Sequence, residues 1–83
     1  GTYAEYIVVP EDLVVHVPKT LSLKEAACIP LTALTAWQAL FTVAKLQAHE
    51  TVIVLGGAGG VGSMAVQMAH WAQATVYATA RSE

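Results

Sequence analysis

Thr51-Val52-Ile53-Val54-Leu55-Gly56-Gly57-Ala58-Gly59-Gly60-Val61-Gly62 is the stretch that decides the fold. Its first five residues show no polar alternation beyond Thr51. That pattern predicts a central parallel strand covered on both faces. A glycine cluster follows, then a helical stretch over about residues 61–73. Thr75-Val76-Tyr77-Ala78-Thr79 reads as a second strand. Strand, glycine turn, helix and strand make one βαβ unit. The fold class is therefore α/β.

Within the cluster, Gly57-Ala58-Gly59-Gly60-Val61-Gly62 fits G-x-G-x-x-G. The pattern gains force from its place after a buried strand and at the opening of a helix. One glycine permits the tight turn, and the next lets amides approach a pyrophosphate with no Cβ in the way. Gly62 lets the helix pack close to the strand. The helix N-terminus offers free N–H groups and a positive dipole end to a phosphate. A plain tight turn is the bland alternative. A nucleotide-triphosphate loop is rejected, because Ser63 stands where that loop needs a lysine. After the second strand, an NAD site needs an acid to take the ribose hydroxyls. Here Ala80-Arg81-Ser82 precedes the first acid, Glu83. Arg81 can pair with a 2′-phosphate, which predicts NADP(H). The bland alternative for Arg81 is a solvated loop residue.

Upstream, Ser22-Leu23-Lys24-Glu25 matches a capping box, so a short helix should follow and break near Pro30. A longer helix is expected over about residues 31–46, with Leu34, Trp37, Phe41 and Ala44 on one face. Leu40 and Val43 widen that face almost all round, which predicts burial on both sides. Residues 1–18 hold two β-rich runs, Tyr3 with Tyr6-Ile7-Val8-Val9 and Leu13-Val14-Val15-His16-Val17, each closed by a proline. They predict antiparallel strands at the edge of a larger β structure.

The chain has 83 residues, 55% hydrophobic and only 12% charged. A small free-standing domain has a large surface to cover and should carry more charge. The arithmetic therefore predicts a piece of a larger protein. One cysteine, Cys28, excludes an intrachain disulfide and thiol zinc sites of the CxxC type. Net charge is −2, and the four cations lie far apart, which argues against nucleic acid. Two stretches, residues 26–44 and 51–80 with His70 neutral, carry no charge, but Pro30, several threonines and the glycines interrupt them and no basic cluster frames them. Buried structure is expected rather than a membrane span.

The sequence resembles the medium-chain dehydrogenase/reductase superfamily, and within it the zinc-independent quinone oxidoreductase (enone reductase) branch. Three stretches carry the likeness: Gly1-Thr2-Tyr3-Ala4-Glu5-Tyr6, the segment from Glu25 through Pro30 and Trp37 to Leu40, and the glycine loop with its helix. The resemblance implies three parts. Residues 1–21 would end a β-rich (GroES-like) substrate domain, 22–50 would be connecting helices, and 51–83 would be the N-terminal βαβ unit of the NADP-binding domain, the first of a doubly wound Rossmann sheet. It implies hydride transfer from NADPH to a quinone or α,β-unsaturated carbonyl. Thr35 would approach the nicotinamide end. Gly57, Gly59, Gly60, Val61 and Gly62 would form the cofactor loop, with Arg81 and Ser82 at the 2′-phosphate. Zinc members of the superfamily carry a ligand cysteine where this chain has Leu31, so no metal is expected. Family members often have Pro-Gly where this chain has Ala48-His49, and glycine where it has Gln73. Both swaps remove a residue that takes positive φ cheaply.

Cys28 is expected to be a small buried residue. Met64 and Met68 read as core packing, and Trp37 and Trp71 as packing anchors. The fragment shows no catalytic acid or base. A non-catalytic dinucleotide-binding or scaffold protein of the same fold is therefore the rival to the oxidoreductase. The intact protein is expected to be a cytoplasmic homodimer that binds a small carbonyl or quinone and no membrane.

Overall fold

The computed structural model describes residues 1–81. Residues 1–21 hold a single 3-10 turn, Glu11–Leu13, and no strand. Helix α1 spans Leu23–Ala26 and α2 spans Pro30–Trp37, continued by a π-helical segment, Gln38–Val43. Strand β1 (Thr51–Val54), helix α3 (Gly60–Trp71) and strand β2 (Thr75–Ala78) follow. The strands pair in parallel, with Thr51 opposite Thr75 and Val54 opposite Ala78. The expected βαβ unit is present.

The two strands expected in residues 1–18 do not form. The backbone there has strand-like segments, as at Val14 with φ −115° and ψ 135°. A ladder needs a neighbouring chain to bond, and an unpaired run of β-formers has none. Tyr3, Tyr6, Val8 and Val15 accordingly stand exposed.

The core is built on small residues. Ala36 and Leu40 from the α2 helical run, Val54 from β1, and Ala65 and Ala69 from α3 form one buried cluster. Alanine on both helices permits close approach of their backbones. The face expected to be buried, through Leu34 and Trp37, is instead turned outward, with Leu34 59% exposed. Val43, expected to be covered, is 78% exposed. Two causes act together. The helix contact selects Ala36 rather than its larger neighbours. The π-helical segment, with Ala44 N–H donating to the Ala39 carbonyl at 3.0 Å, also breaks the 3.6-residue phase used to assign the face. Met64 and Met68 do pack against the core. Trp37 packs on Phe41 at 4.6 Å and on Trp71 at 6.4 Å between centroids, outside the buried cluster.

β1 is covered on one face only. Val52 and Val54 join the core with Val76, while Ile53 and Tyr77 on the opposite face are 66% and 62% exposed. Side chains alternate along a strand, and one crossover helix covers one side. Cys28 is also exposed rather than buried, because the short connection between α1 and α2 carries it outward.

The capping box forms as expected. Glu25 N–H donates to the Ser22 hydroxyl at 3.1 Å, and Ser22 N–H donates to the Glu25 carboxylate at 2.9 Å. Pro30 occupies the first turn of α2, where its missing N–H costs nothing. By length and composition, Leu23–Val43 is the one stretch among the described residues apolar enough to cross a bilayer. It is folded as two helices either side of Cys28 and Ile29, with Ala36 and Leu40 packed into the core.

Candidate cofactor site

The chain leaves β1 through Gly56, whose φ of 73° lies in the left-handed region. A Cβ on Gly56 would meet nothing within 4 Å, so its requirement is conformational only. The fingerprint places its first glycine at Gly57, and the reading of the motif missed Gly56 as the turning residue. The signal was its position directly after the strand.

Close approach governs the next glycines. A Cβ on Gly57 would lie 2.7 Å from the Ala78 Cβ, at the end of β2. A Cβ on Gly62 would collide with the Gly56 carbonyl oxygen and lie 2.8 Å from its carbon. Gly62 thus lets the first turn of α3 sit directly on the turn that precedes it. Gly59 is the N-cap of α3, extended at φ −78° and ψ 176°. It brings no side chain to the helix start, and no acid occupies the first turn. The amides of Gly60, Val61 and Gly62 therefore begin a helix whose dipole is uncompensated.

The turn is tied to the end of β2 through Thr79. Gly56 N–H donates to the Thr79 hydroxyl at 2.9 Å, and Gly57 N–H donates to the Thr79 carbonyl at 2.8 Å. Thr79 N–H donates to the Val54 carbonyl at 3.0 Å. Sequence reasoning did not single out Thr79, since a side-chain bond across 23 residues leaves no local pattern.

Between the turn and the tip of β2 lies an open cleft of about 380 Å³, lined by Gly56, Ala58, Gly59, Ala80 and Arg81. The structure thus brings Arg81 and the glycine turn to one space, and among the described residues no carboxylate lines it. Ser82 lies outside the described residues. Thr35 is on α2, exposed, with its hydroxyl donating to the Leu31 carbonyl at 2.8 Å. It does not line the cleft. One turn earlier, the Thr32 methyl would sit 3.1 Å from a Cβ on Gly60, so α2 abuts the start of α3. Free amides, a positive helix end, absent Cβ atoms and a cation at the rim suit a pyrophosphate with a charged substituent. A larger groove of about 550 Å³ beside Pro30, Leu34, Trp37 and Met68 is almost wholly apolar and gathers no such polar set.

No family model matches the chain. The chain is 43% identical over 83 residues to the lovastatin diketide synthase lovF of Aspergillus terreus, covering all of this chain and 3% of that protein. It is 46% identical over 72 residues to the mitochondrial NAD(P)H oxidoreductase RTN4IP1 of Danio rerio, covering 82% of this chain and 19% of that one. Among solved structures, the CurK enoyl reductase matches with a TM-score of 0.77 and 50% identity, over 80% of this chain and 20% of that chain. The chain thus spans between 3% and 19% of these two curated relatives.

Proposed function

The chain is a segment of the enoyl-reductase-like region of the medium-chain dehydrogenase/reductase superfamily, and from that premise we propose that it forms the pyrophosphate and 2′-phosphate subsites of an NADPH-dependent oxidoreductase. The observation that carries the reading is the cleft shared by the glycine turn and Arg81, with no carboxylate among the described residues on its wall. The Gly60, Val61 and Gly62 amides would take the pyrophosphate, and Arg81 the 2′-phosphate, with Ser82 beside it. Thr35 would face the nicotinamide end. In the intact protein, residues 1–21 would close the substrate domain and 22–50 would join it to the cofactor domain.

The proposed reaction is hydride transfer to an α,β-unsaturated carbonyl or a quinone, without zinc. The bound reduced nicotinamide would supply the hydride, and this chain's residues would bind and orient it. The rival reading, a non-catalytic dinucleotide-binding member, predicts cofactor binding with no turnover of a simple enone or quinone by the intact protein.

Cofactor preference tests the charge reading. A charge-assisted hydrogen bond contributes about 1.5–3 kcal/mol, so NADPH should bind roughly tenfold to a hundredfold more tightly than NADH. Arg81→Asp should reverse that order. Equal affinities for the two cofactors in a fluorescence titration of the intact protein would end the specificity claim.

A further inference from the structure

We propose that Thr79 is a positioning residue for this site: its hydroxyl fixes the left-handed Gly56 and thereby sets where the free amides of α3 point. The inference rests on the dinucleotide reading above. Three hydrogen bonds support it. The Thr79 hydroxyl accepts from Gly56 N–H at 2.9 Å, its carbonyl accepts from Gly57 N–H at 2.8 Å, and its own N–H reaches the Val54 carbonyl at 3.0 Å. The two backbone contacts would survive any replacement. Serine keeps the hydroxyl contact, and valine has no acceptor to replace it.

That contact falls on the residue with the most conformational freedom. Gly56 has φ 73° and no Cβ neighbour within 4 Å, so packing does not hold it. Its carbonyl in turn accepts from Gly59 N–H at 3.0 Å and lies against Gly62. A change of angle at Gly56 therefore propagates directly into the first turn of α3. The turn's own amides at Gly56, Gly57 and Gly59 are engaged internally, which leaves those of Ala58, Gly60, Val61 and Gly62 for a ligand. Thr79 also directly precedes Ala80 and Arg81 on the opposite wall of the cleft. One residue thus ties both walls together.

The test is NADPH titration of the intact protein carrying Thr79→Val or Thr79→Ser. Loss of one hydrogen bond of about 0.5–1.5 kcal/mol predicts a roughly two- to tenfold rise in Kd for Thr79→Val, with Thr79→Ser within twofold of wild type. A purely structural role would lower the melting temperature and the number of competent sites, yet leave Kd unchanged, and that result would overturn the proposal. Wild type that binds NADPH while Thr79→Val binds it equally well overturns this inference alone. Wild type that does not bind NADPH overturns the cofactor reading, and this inference with it. Should Thr79→Val fail to fold, hydrogen exchange in the wild type decides: the Gly56 amide should be protected, and exchange at the rate of an unstructured glycine refutes the contact.

Discussion

At one end of the β1–α3–β2 unit the chain turns through Gly56 at φ 73°; at the other it turns through His49 at φ 70° and Gln73 at φ 66°. The backbone angles are nearly the same, yet one end uses glycine and the other carries full side chains. The far end is well bonded. Gln73 N–H donates to the His70 carbonyl and Ala74 N–H to the Ala69 carbonyl, at 3.0 and 3.1 Å, which is the Schellman pattern with glutamine in the glycine position. His49 N–H then donates to the Gln73 carbonyl at 3.0 Å. Both residues are exposed, so the left-handed conformation is met there with a side chain that points to open surface. At the near end, turn, strand tip and helix start converge, and Gly57 and Gly62 have no room for a Cβ. The difference teaches that close approach holds Gly57 and Gly62, whereas the positive φ of Gly56 is one that His49 and Gln73 adopt with side chains.

The largest expected effect breaks the near end. In Gly62→Ala the new methyl runs into backbone, which cannot swing aside as a flexible side chain would. Overpacking of this kind costs about 1–3 kcal/mol, and this site belongs at the upper limit. The turn must shift to relieve it, so NADPH affinity should fall more than tenfold along with the melting temperature of the intact protein. Gly60→Ala is the control. Its methyl meets only the Thr32 side chain at 3.1 Å. If Gly62→Ala and Gly60→Ala behave alike, the close-approach account is wrong.

A smaller effect of opposite sign sharpens the far end. A left-handed non-glycine residue costs about 1–2 kcal/mol, and glycine returns about 0.4–1 kcal/mol of that through the freer unfolded chain. Gln73→Gly and His49→Gly should therefore each stabilise the intact protein by roughly 0.5–1 kcal/mol. Neither residue lines the cleft, so Kd for NADPH should not move. Thermal unfolding of the two variants measures the gain, and lowered melting temperatures would contradict the strain argument.

The same contrast explains what could be read in the sequence. The βαβ unit was legible because its signals are local: an apolar run, a glycine cluster, a helical period and a second run. The resemblance puts the turn geometry at Ala48-His49 and Gln73 in question, and His49 and Gln73 take positive φ there without glycine. The β-rich runs of residues 1–18 stay unpaired among the described residues, because strand composition does not supply a strand partner. The α2 face was misread because the periodic pattern favours large apolar residues, whereas the contact was made through Ala36. In the site, glycine spacing located the turn. It did not reveal that Gly56 makes the turn or that Thr79 holds it, since both depend on atoms brought together by β1 and β2.

The smallest effect compares two helix starts. At α3 the first amides have no side-chain cap, whereas at α1 they are closed by Ser22 and Glu25. The Ser22 backbone N–H, and then its hydroxyl, hold the fully exposed Glu25 carboxyl below its ordinary value. A depressed carboxylate pKa adds stability that is fully present above the ordinary glutamate value and disappears as pH falls through the depressed one. Glu25→Gln keeps an acceptor for the Ser22 amide but does not titrate. The melting temperature of wild type should therefore exceed that of Glu25→Gln at neutral pH, and the gap should close as pH falls below the usual glutamate range of about 4.3. No such pH-linked gap is expected from the α3 start, which carries no acid in its first turn. A wild-type advantage that grows on acidification would mean that the Glu25 charge opposes the cap instead of strengthening it.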